Sequence, residues 1–262
     1  MTKSPKISII TVCYNSEAYI ESAINSVFNQ TYKNIEYIII DGKSTDSTLK
    51  IISKYDNKIA IVISEDDNGL YDAMNKGIAL ATGDIIGLIN SDDIFHNNLV
   101  LENIALEFSA STIDAIYGDI LYVSAQDTNK IIRYWKSRPF KKGAFQNGWH
   151  PPHPTLYLKR SVYKRFGVFN LSYKIASDFE LMLRFFEKHS IKSLYLPQIF
   201  VRMRVGGTSN KNIKNILIGN LECFRAFREN SIKKSFFYLI FRLAPKLLHF
   251  SAKPKKTQSL VK

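Results

Sequence analysis

Asp84-Ile85-Ile86-Gly87-Leu88-Ile89-Asn90-Ser91-Asp92-Asp93 is the stretch on which the fold turns. Its apolar middle is unbroken by charge, as in a strand covered on both faces. It then ends abruptly in two adjacent carboxylates. Reading outward towards the N-terminus, Ile7–Cys13, Ile35–Asp41 and Ile59–Ser64 repeat the apolar strand pattern. Between them the period changes to that of a helix. Ile20, Ile24, Val27 and Phe28 share one face after a cap at Asn15 or Ser16. Asp46-Ser47-Thr48 opens a second helix carrying Leu49, Ile51 and Ile52, and Leu70, Met74, Ile78 and Ala81 mark a third. Reading towards the C-terminus, a helix over 99–108 and a strand over 114–120 continue the alternation. Such alternation predicts an α/β chain with a mostly parallel sheet and helices on both faces.

Ligands bind such sheets at the carboxyl ends of the strands. Here those ends deliver Tyr14-Asn15, then Asp41, then Glu65-Asp66-Asp67, then Asn90-Ser91-Asp92-Asp93. Carboxylates gathered on one edge repel one another unless a cation sits among them. Caps and turns are the plainer explanation for Asp46 and Asn68. They do not suit the pair Asp92-Asp93 at the end of a buried strand.

Beyond residue 120 the pattern loosens. Residues 131–135 and 155–158 read as short strands around a basic, Pro- and Gly-containing loop at 138–154. A helix opens at Ala176-Ser177-Asp178 and runs through Phe185 and Phe186. Extended chain follows over 191–205, then a turn at Gly206-Gly207-Thr208-Ser209, then helical patterns to about residue 248.

Composition narrows the classes. The 262 residues are 45% hydrophobic and 23% charged, which excludes a disordered chain and fits one large domain. No run approaches the roughly 18 apolar residues of a spanning helix, and the N-terminus lacks a signal-peptide pattern. Two cysteines, Cys13 and Cys223, make neither a disulfide framework nor a four-cysteine zinc site. A cytoplasmic location, or a peripheral one on the inner face of the cell membrane, is expected. The net charge of +13 is uneven: residues 1–200 carry 22 Lys and Arg against 21 Asp and Glu, and residues 201–262 carry 14 against 2. The neutral body argues against nucleic acid as a partner. The tail interleaves cations with Phe236-Phe237-Tyr238-Leu239-Ile240-Phe241. Residues 231–262 therefore suit an anionic membrane surface, with packing onto the core or a dimer contact as the alternative.

Several signatures fail. No G-x-G-x-x-G follows the first strand, and Tyr37 stands where a phosphate loop ending in Gly42-Lys43-Ser44 needs its first glycine. Neither G-x-S-x-G nor H-E-x-x-H occurs. What remains, in order, is Ile10-Thr11-Val12-Cys13-Tyr14-Asn15, Ile40-Asp41-Gly42-Lys43-Ser44-Thr45-Asp46, Ala73-Met74-Asn75-Lys76-Gly77 with Ala81-Thr82-Gly83-Asp84, Leu88–Asp93, Phe166-Gly167-Val168-Phe169 and Ser177-Asp178-Phe179-Glu180-Leu181. Over roughly residues 6–209 this ordered set resembles the family 2 glycosyltransferases of GT-A fold, in the flavour of bacterial enzymes of capsule, exopolysaccharide or lipopolysaccharide assembly.

The resemblance implies a GT-A domain over 1–210, with a nucleotide-binding half to about 120 and an acceptor half from 121, followed by a basic helical extension over 211–262. It implies a nucleotide-sugar donor, a glycan or lipid-linked acceptor and a divalent cation, Mg²⁺ or Mn²⁺. The family's Asp-x-Asp corresponds to Asn90-Ser91-Asp92, with Asn in the first position, so Asp92 and Asp93 are the expected metal ligands. Asp41 matches the acid at the nucleoside, Thr11 and Asn15 lie in the first-strand loop, and Asp67 lies in the third. Asp178 matches the catalytic base, with Ser177 where the family often has another acid.

The chemistry stands beside the resemblance. A departing nucleoside diphosphate is stabilised by a hard cation held by one or two carboxylates. A hydroxyl acceptor needs a base, and a base on the opposite side of the sugar inverts the anomeric centre. His153 is read as an acceptor-pocket or phosphate contact, Trp149 as a ring that stacks on a sugar, and Arg202 and Arg204 as diphosphate contacts in a flap with Gly206–Ser209. A loop histidine, a core anchor and a plain basic loop are the respective alternatives. Tyr117-Gly118-Asp119 either lines the sugar site or is a turn. A sugar nucleotidyltransferase and a catalytically inactive nucleotide-sugar-binding module are the competing functions. The first lacks its glycine-rich basic loop over 13–21, and Asn90 keeps the second in view.

Overall fold

The computed structural model describes residues 4–206, 213–233 and 238. Four strands and three helices build the first half: β1 (Ile7–Cys13), α1 (Ile20–Phe28), β2 (Ile35–Asp41), α2 (Thr48–Ile52), β3 (Ile61–Ser64), α3 (Leu70–Leu80) and β4 (Ile85–Leu88). The strands lie in the order β3-β2-β1-β4, all parallel. Alternate residues take opposite faces, as the period of two requires. Ile7 and Ile9 of β1 pack with Ile20, Ile24 and Val27 of α1. Ile10 and Val12 pack with Ala73, Met74 and Ile78 of α3. Both faces are therefore covered, which is why these strands read as continuous apolar runs.

The second half holds β5 (Ile94–Phe95), α4 (Val100–Ala110), β6 (Ala115–Val123), β7 (Ile131–Trp135), β8 (Tyr157–Lys159), α5 (Arg160–Phe166), α6 (Ser177–Leu183), β9 (Ser193–Arg204) and α7 (Ile213–Glu229). The sheet continues β4-β8-β6-β9-β5, with β7 also on β6. Pairing is mixed here. β8 runs antiparallel to β4 and β6, β7 antiparallel to β6, β5 antiparallel to β9, and β6–β9 is parallel. Hairpin β6–β7 needs no helical crossover, whereas parallel neighbours do. β4 meets β8 with Gly87 opposite Tyr157, and a Cβ at Gly87 would run into the Tyr157 ring. β5, two residues long, follows Asp93 directly and carries no period by which its sequence would announce it.

α6 leads into a π turn at Arg184–Lys188. α7 lies against α6, and its Cys223, Ala226 and Phe227 share a core with Phe179 and Phe186. Glu222 of α7 accepts the N–H groups of Lys174, Ile175 and Ala176 at 2.7, 2.9 and 2.8 Å. Both cysteines are buried, and neither is in a disulfide among the described residues. Tyr238 is buried with Phe224 and Phe227, so packing is what the tail does at that position. The remaining tail expectations, at 234–237 and 239–262, and the flap residues 207–209 lie outside the described residues.

Candidate active site

The carboxyl ends of β1, β2 and β3 form one wall. Asp41, the last residue of β2, is fully buried. Its carboxylate accepts the Ser44 N–H at 2.9 Å, the Ser64 hydroxyl at 2.7 Å and the Ser44 hydroxyl. A buried carboxylate needs such donors, and here they fold the chain after β2 back on itself. Asn15 closes the same loop with left-handed backbone (φ 46°), which Asn tolerates. Its Oδ1 accepts the Thr45 N–H at 2.9 Å, and its own N–H donates to Ser44 Oγ at 2.8 Å. Both residues thus shape the loop. Thr11 does not reach it: its side chain is buried against the Tyr37 hydroxyl at 3.0 Å, because position 11 of the strand faces the core.

The loop encloses a pocket of about 510 Å³, lined by Tyr14, Gly42, Lys43, Thr45, Asp66 and Asp67, large enough for a small ligand. Tyr14 presents its ring to solvent at 63% exposure. Lys43 spans the mouth to Asp66 at 2.8 Å. Asp67 Oδ1 accepts the Gly69 N–H at 2.8 Å. A Cβ at Gly42 would come within 2.5 Å of Asp67 Oδ2, so glycine keeps this floor open.

The loop after β4 forms the next part. Ser91 Oγ lies 2.9 Å from Ser16 Oγ, tying it to the loop after β1. Asp92 is half-buried at the edge. Asp93 turns inward instead, 1% exposed, accepting the Asn90 amide at 2.9 Å and the Arg204 N–H at 3.3 Å. Burial, then the neighbouring Asp92 charge, push its carboxyl up to about 8. Asp93 is therefore no open metal ligand; β5 draws it into the sheet. Asn90 is engaged in holding Asp93. Arg204 is likewise buried, bonded to the Asp92 carbonyl and to Ser22 Oγ at 3.2 Å, and lies over the Tyr19 ring. Arg202 is held by His96 Nδ1 at 3.2 Å and by Thr128 and Asn129. β9 carries both guanidiniums into contacts that anchor β5 and the β6–β7 hairpin, and leaves Arg204 Nε buried without a hydrogen-bond partner among the described residues.

No three His, Cys, Asp or Glu side chains converge on a metal site among the described residues. A single half-buried carboxylate is nevertheless a donor type that suits Mg²⁺ or Mn²⁺, which keep waters and take phosphate oxygens. Asp92 fits that donor set.

Asp178 stands in the first turn of α6. The Tyr71 hydroxyl donates to the Ile175 carbonyl at 2.8 Å and lies 3.3 Å from Asp178 Oδ1. Burial, then the Asp178 charge, hold that hydroxyl's pKa well above its usual value. Tyr71 stacks on Phe169, and the His153 ring stands edge-on to the same Phe169 at 5.6 Å. Burial pushes the His153 imidazole down, partly opposed by the Asp178 charge, so the ring is neutral at pH 7. Tyr71, His153 and Asp178 therefore form one group. Trp149 is half-buried beside Tyr117, with the Arg138 guanidinium 5.0 Å from its ring centre. Tyr117-Gly118-Asp119 lies inside β6, and Asp119 accepts the Ser137 N–H at 2.7 Å and the Tyr195 hydroxyl at 2.9 Å.

Tyr71, Ser44 and Ser64 escape sequence reasoning. Tyr71 follows Leu70 at the head of a helical run, and nothing in its spacing separates it from the core face. The serines acquire meaning only once Asp41 is known to be buried.

Residues 8–166 match the family model described as Glycosyl transferase family 2. A "PGL/p-HBAD biosynthesis glycosyltransferase" of Mycobacterium bovis is 26% identical over 219 residues, 79% of this chain and 80% of that protein. A protein of Mycobacterium tuberculosis named an uncharacterized glycosyltransferase is 31% identical over 191 residues, 70% of each chain. Among solved structures, Staphylococcus aureus TarS 1–349 in complex with UDP-GlcNAc aligns with a TM-score of 0.67 at 19% identity, covering 96% of this chain and 76% of that one. A mannosyltransferase of Pyrobaculum calidifontis in complex with GDP-Man and Mn²⁺ aligns at 0.61 and 15% identity, covering 97% and 82%. At these identities the structures speak for the fold.

Proposed function

The chain belongs to glycosyl transferase family 2 and is a glycosyltransferase of GT-A fold, and from that premise we propose a metal-dependent, inverting transfer of a sugar from a nucleotide-sugar donor to an acceptor hydroxyl in cell-surface polysaccharide assembly. The observation that carries this is the shared edge: the pocket at Tyr14, Gly42 and Asp67 and the Asp92 loop are joined through Ser16 and Ser91. The donor complexes of the TarS and mannosyltransferase neighbours, one of them with Mn²⁺, support a nucleotide-sugar and a divalent ion.

In this reading the pocket takes the nucleoside. Tyr14 offers a ring face, Lys43 a donor, and Asp66 and Asp67 acceptors. Asp41 and Asn15 act behind them by fixing the loop. Asp92 would hold Mg²⁺ or Mn²⁺, which when bound neutralises charge on the diphosphate. Asp178 takes the acceptor proton as the acceptor oxygen attacks the anomeric carbon, on the face away from the diphosphate. The Phe179 N–H, 2.7 Å from its Oδ1, holds that carboxylate, and the Tyr71 hydroxyl stands 3.3 Å from the same oxygen. Among the described residues no helix is long and apolar enough to cross a membrane. The cations of 231–262 favour a peripheral contact with anionic lipid, which would bring the enzyme to a lipid-linked acceptor.

The test is release of nucleoside diphosphate from a panel of UDP-, GDP- and dTDP-sugars, with Mn²⁺ or with EDTA. Metal-stimulated release from one donor is expected. Release from none would leave a binding module, and formation of a nucleotide sugar from a sugar phosphate would indicate a nucleotidyltransferase.

A further inference from the structure

A second cavity lies across the sheet from the pocket at Tyr14 and Asp67. Pro5 and Asp84 precede β1 and β4, and Lys159 ends β8, which runs antiparallel to β4. With Ile85, Phe108, Arg160, Ser161 and Lys164 they line a space of about 340 Å³, within the size range of ligand cavities. The cavity therefore opens at the amino ends of the central parallel strands, whereas Tyr14 and Gly42 follow the carboxyl ends of β1 and β2. The two share no lining residue.

Its charge is one-sided. Lys159, Arg160 and Lys164 face one carboxylate, Asp84, an excess of two positive charges. The three cations come from residues 128–177, which carry 11 Lys and Arg and no acid at all. None of the three takes part in the ion pairs formed among the described residues. The nearby acids are held by other donors. Asp84 Oδ2 accepts the Lys6 N–H at 2.9 Å, Asp114 Oδ2 accepts the Lys192 N–H at 3.0 Å, and Glu36 is taken by Lys6, Ser8 and Thr82. Like charges around a recess repel one another and focus their field within it, which a bound anion relieves.

The backbone under these cations is fixed. The Lys159 N–H donates to the Asp114 carbonyl and the Arg160 N–H to the Asp84 carbonyl, both at 2.9 Å. Arg160 Nη1 reaches the Ala81 carbonyl, just past the end of α3, at 3.4 Å. The guanidinium makes no other hydrogen bond among the described residues, so the rest of its fork is available to an oxyanion. The floor is apolar: Ile85 and Phe108 are buried and Pro5 is half-buried. A cationic rim over an apolar floor suits an anion with an organic body better than a bare ion.

We propose that this cavity is a second ligand site, taking a soluble phosphate monoester. Lys159, Arg160 and Lys164 hold its phosphate, Ser161 Oγ adds a donor, and its organic body lies against Pro5, Ile85 and Phe108. The excess of two positive charges matches the dianion that a phosphate monoester approaches at pH 7. The site stands apart from sugar transfer and does not rest on the roles given to Asp92 and Asp178.

The test is calorimetry of full-length protein in EDTA, without donor, titrated with phenyl phosphate, phenyl sulfate and inorganic phosphate. Phenyl phosphate is expected to bind at least tenfold more tightly than phenyl sulfate, which carries one charge fewer, and more tightly than inorganic phosphate, which lacks the ring. K159Q/K164Q is expected to weaken phenyl phosphate at least tenfold. Ser161→Glu, which places a carboxylate in the rim, is expected to do the same, and circular dichroism checks that each variant is folded. Lys43→Gln, at the other pocket, is expected to leave phenyl phosphate affinity unchanged. No binding, equal binding of phosphate and sulfate esters, or binding unchanged in a folded rim variant overturns the proposal. Loss of binding in Lys43→Gln also overturns it, by moving the ligand to the donor edge. So does pelleting with phosphatidic acid vesicles that K159Q/K164Q abolishes while phenyl phosphate fails to bind, which would make the surface a lipid contact. With donor and metal absent, these outcomes are independent of the donor panel, whose failure would strike the transferase reading instead.

Discussion

Asp178 and Asp92 occupy different settings, and their substitutions separate accordingly. Asp178 sits beside the Tyr71 hydroxyl and a neutral ring, His153, and does not line the pocket at Tyr14 and Asp67. Asp178→Asn keeps its shape and loses its basicity. Turnover is expected to fall about 10²–10⁴-fold with donor affinity unchanged, as steady-state rates and calorimetry on the identified donor would show. Near-normal turnover would return Asp178 to the role of a helix-start acid favoured by the helix dipole. The motif residues were legible one by one, because acids at strand ends are visible in the chain. Their division of labour was not. Asp93 and Asp92 are adjacent in sequence, yet β5 turns one into the sheet and leaves the other at its edge. Arg202 and Arg204 look free in a basic run, and only the pairing of β9 with β5 shows what they hold.

Between elements, two contacts fix how the sheet is assembled. Glu36 of β2 accepts Lys6 Nζ at 2.7 Å, Ser8 Oγ at 2.6 Å and the Thr82 N–H at 2.8 Å, linking β1, β2 and the chain entering β4. Burial alone would raise its carboxyl; the bonds from Lys6, Ser8 and Thr82 outweigh it and hold the pKa at about 2. A depressed pKa contributes stability above the unfolded value, near 4.5, and loses it as pH falls towards 2. The melting-temperature gap between wild type and Glu36→Gln is therefore expected to be widest above pH 5 and to close between pH 4.5 and 2. A gap independent of pH would mean the ionised form is not what stabilises. Gly87→Ala places a methyl in the Tyr157 ring. Overpacking of that kind costs about 1–3 kcal/mol, read as a lower urea midpoint; an unchanged midpoint would mean β8 can shift freely. The first four strands and their helices were legible because each is buried on both faces and announces its period. β8 and β9 were legible as strands, but their pairing directions depend on long connections that carry no period.

At the scale of the whole molecule, an acidic first half, with 8 Lys and Arg against 18 Asp and Glu over 1–127, and a basic stretch over 128–177 share one sheet, and α7 braces the second half through Glu222. A net balance over residues 1–200 averaged that division away. Tyr238 sits among Phe179, Phe224 and Phe227, so Tyr238→Ala is expected to destabilise the fold by about 3–5 kcal/mol, the range for large aromatic truncations, in urea unfolding. A loss below 1 kcal/mol would detach residue 238 from the core. The central claim remains that one edge of the sheet binds a nucleotide-sugar through a cation held at Asp92. It is tested most directly by calorimetry of UDP- and GDP-sugars binding to wild type and Asp92→Ala, each with Mn²⁺ and with EDTA. The account predicts that wild type binds one of them at least tenfold more tightly with Mn²⁺, and that Asp92→Ala loses this dependence while remaining folded. Equal metal dependence in the two proteins, or tight binding that ignores Mn²⁺ in both, would contradict it.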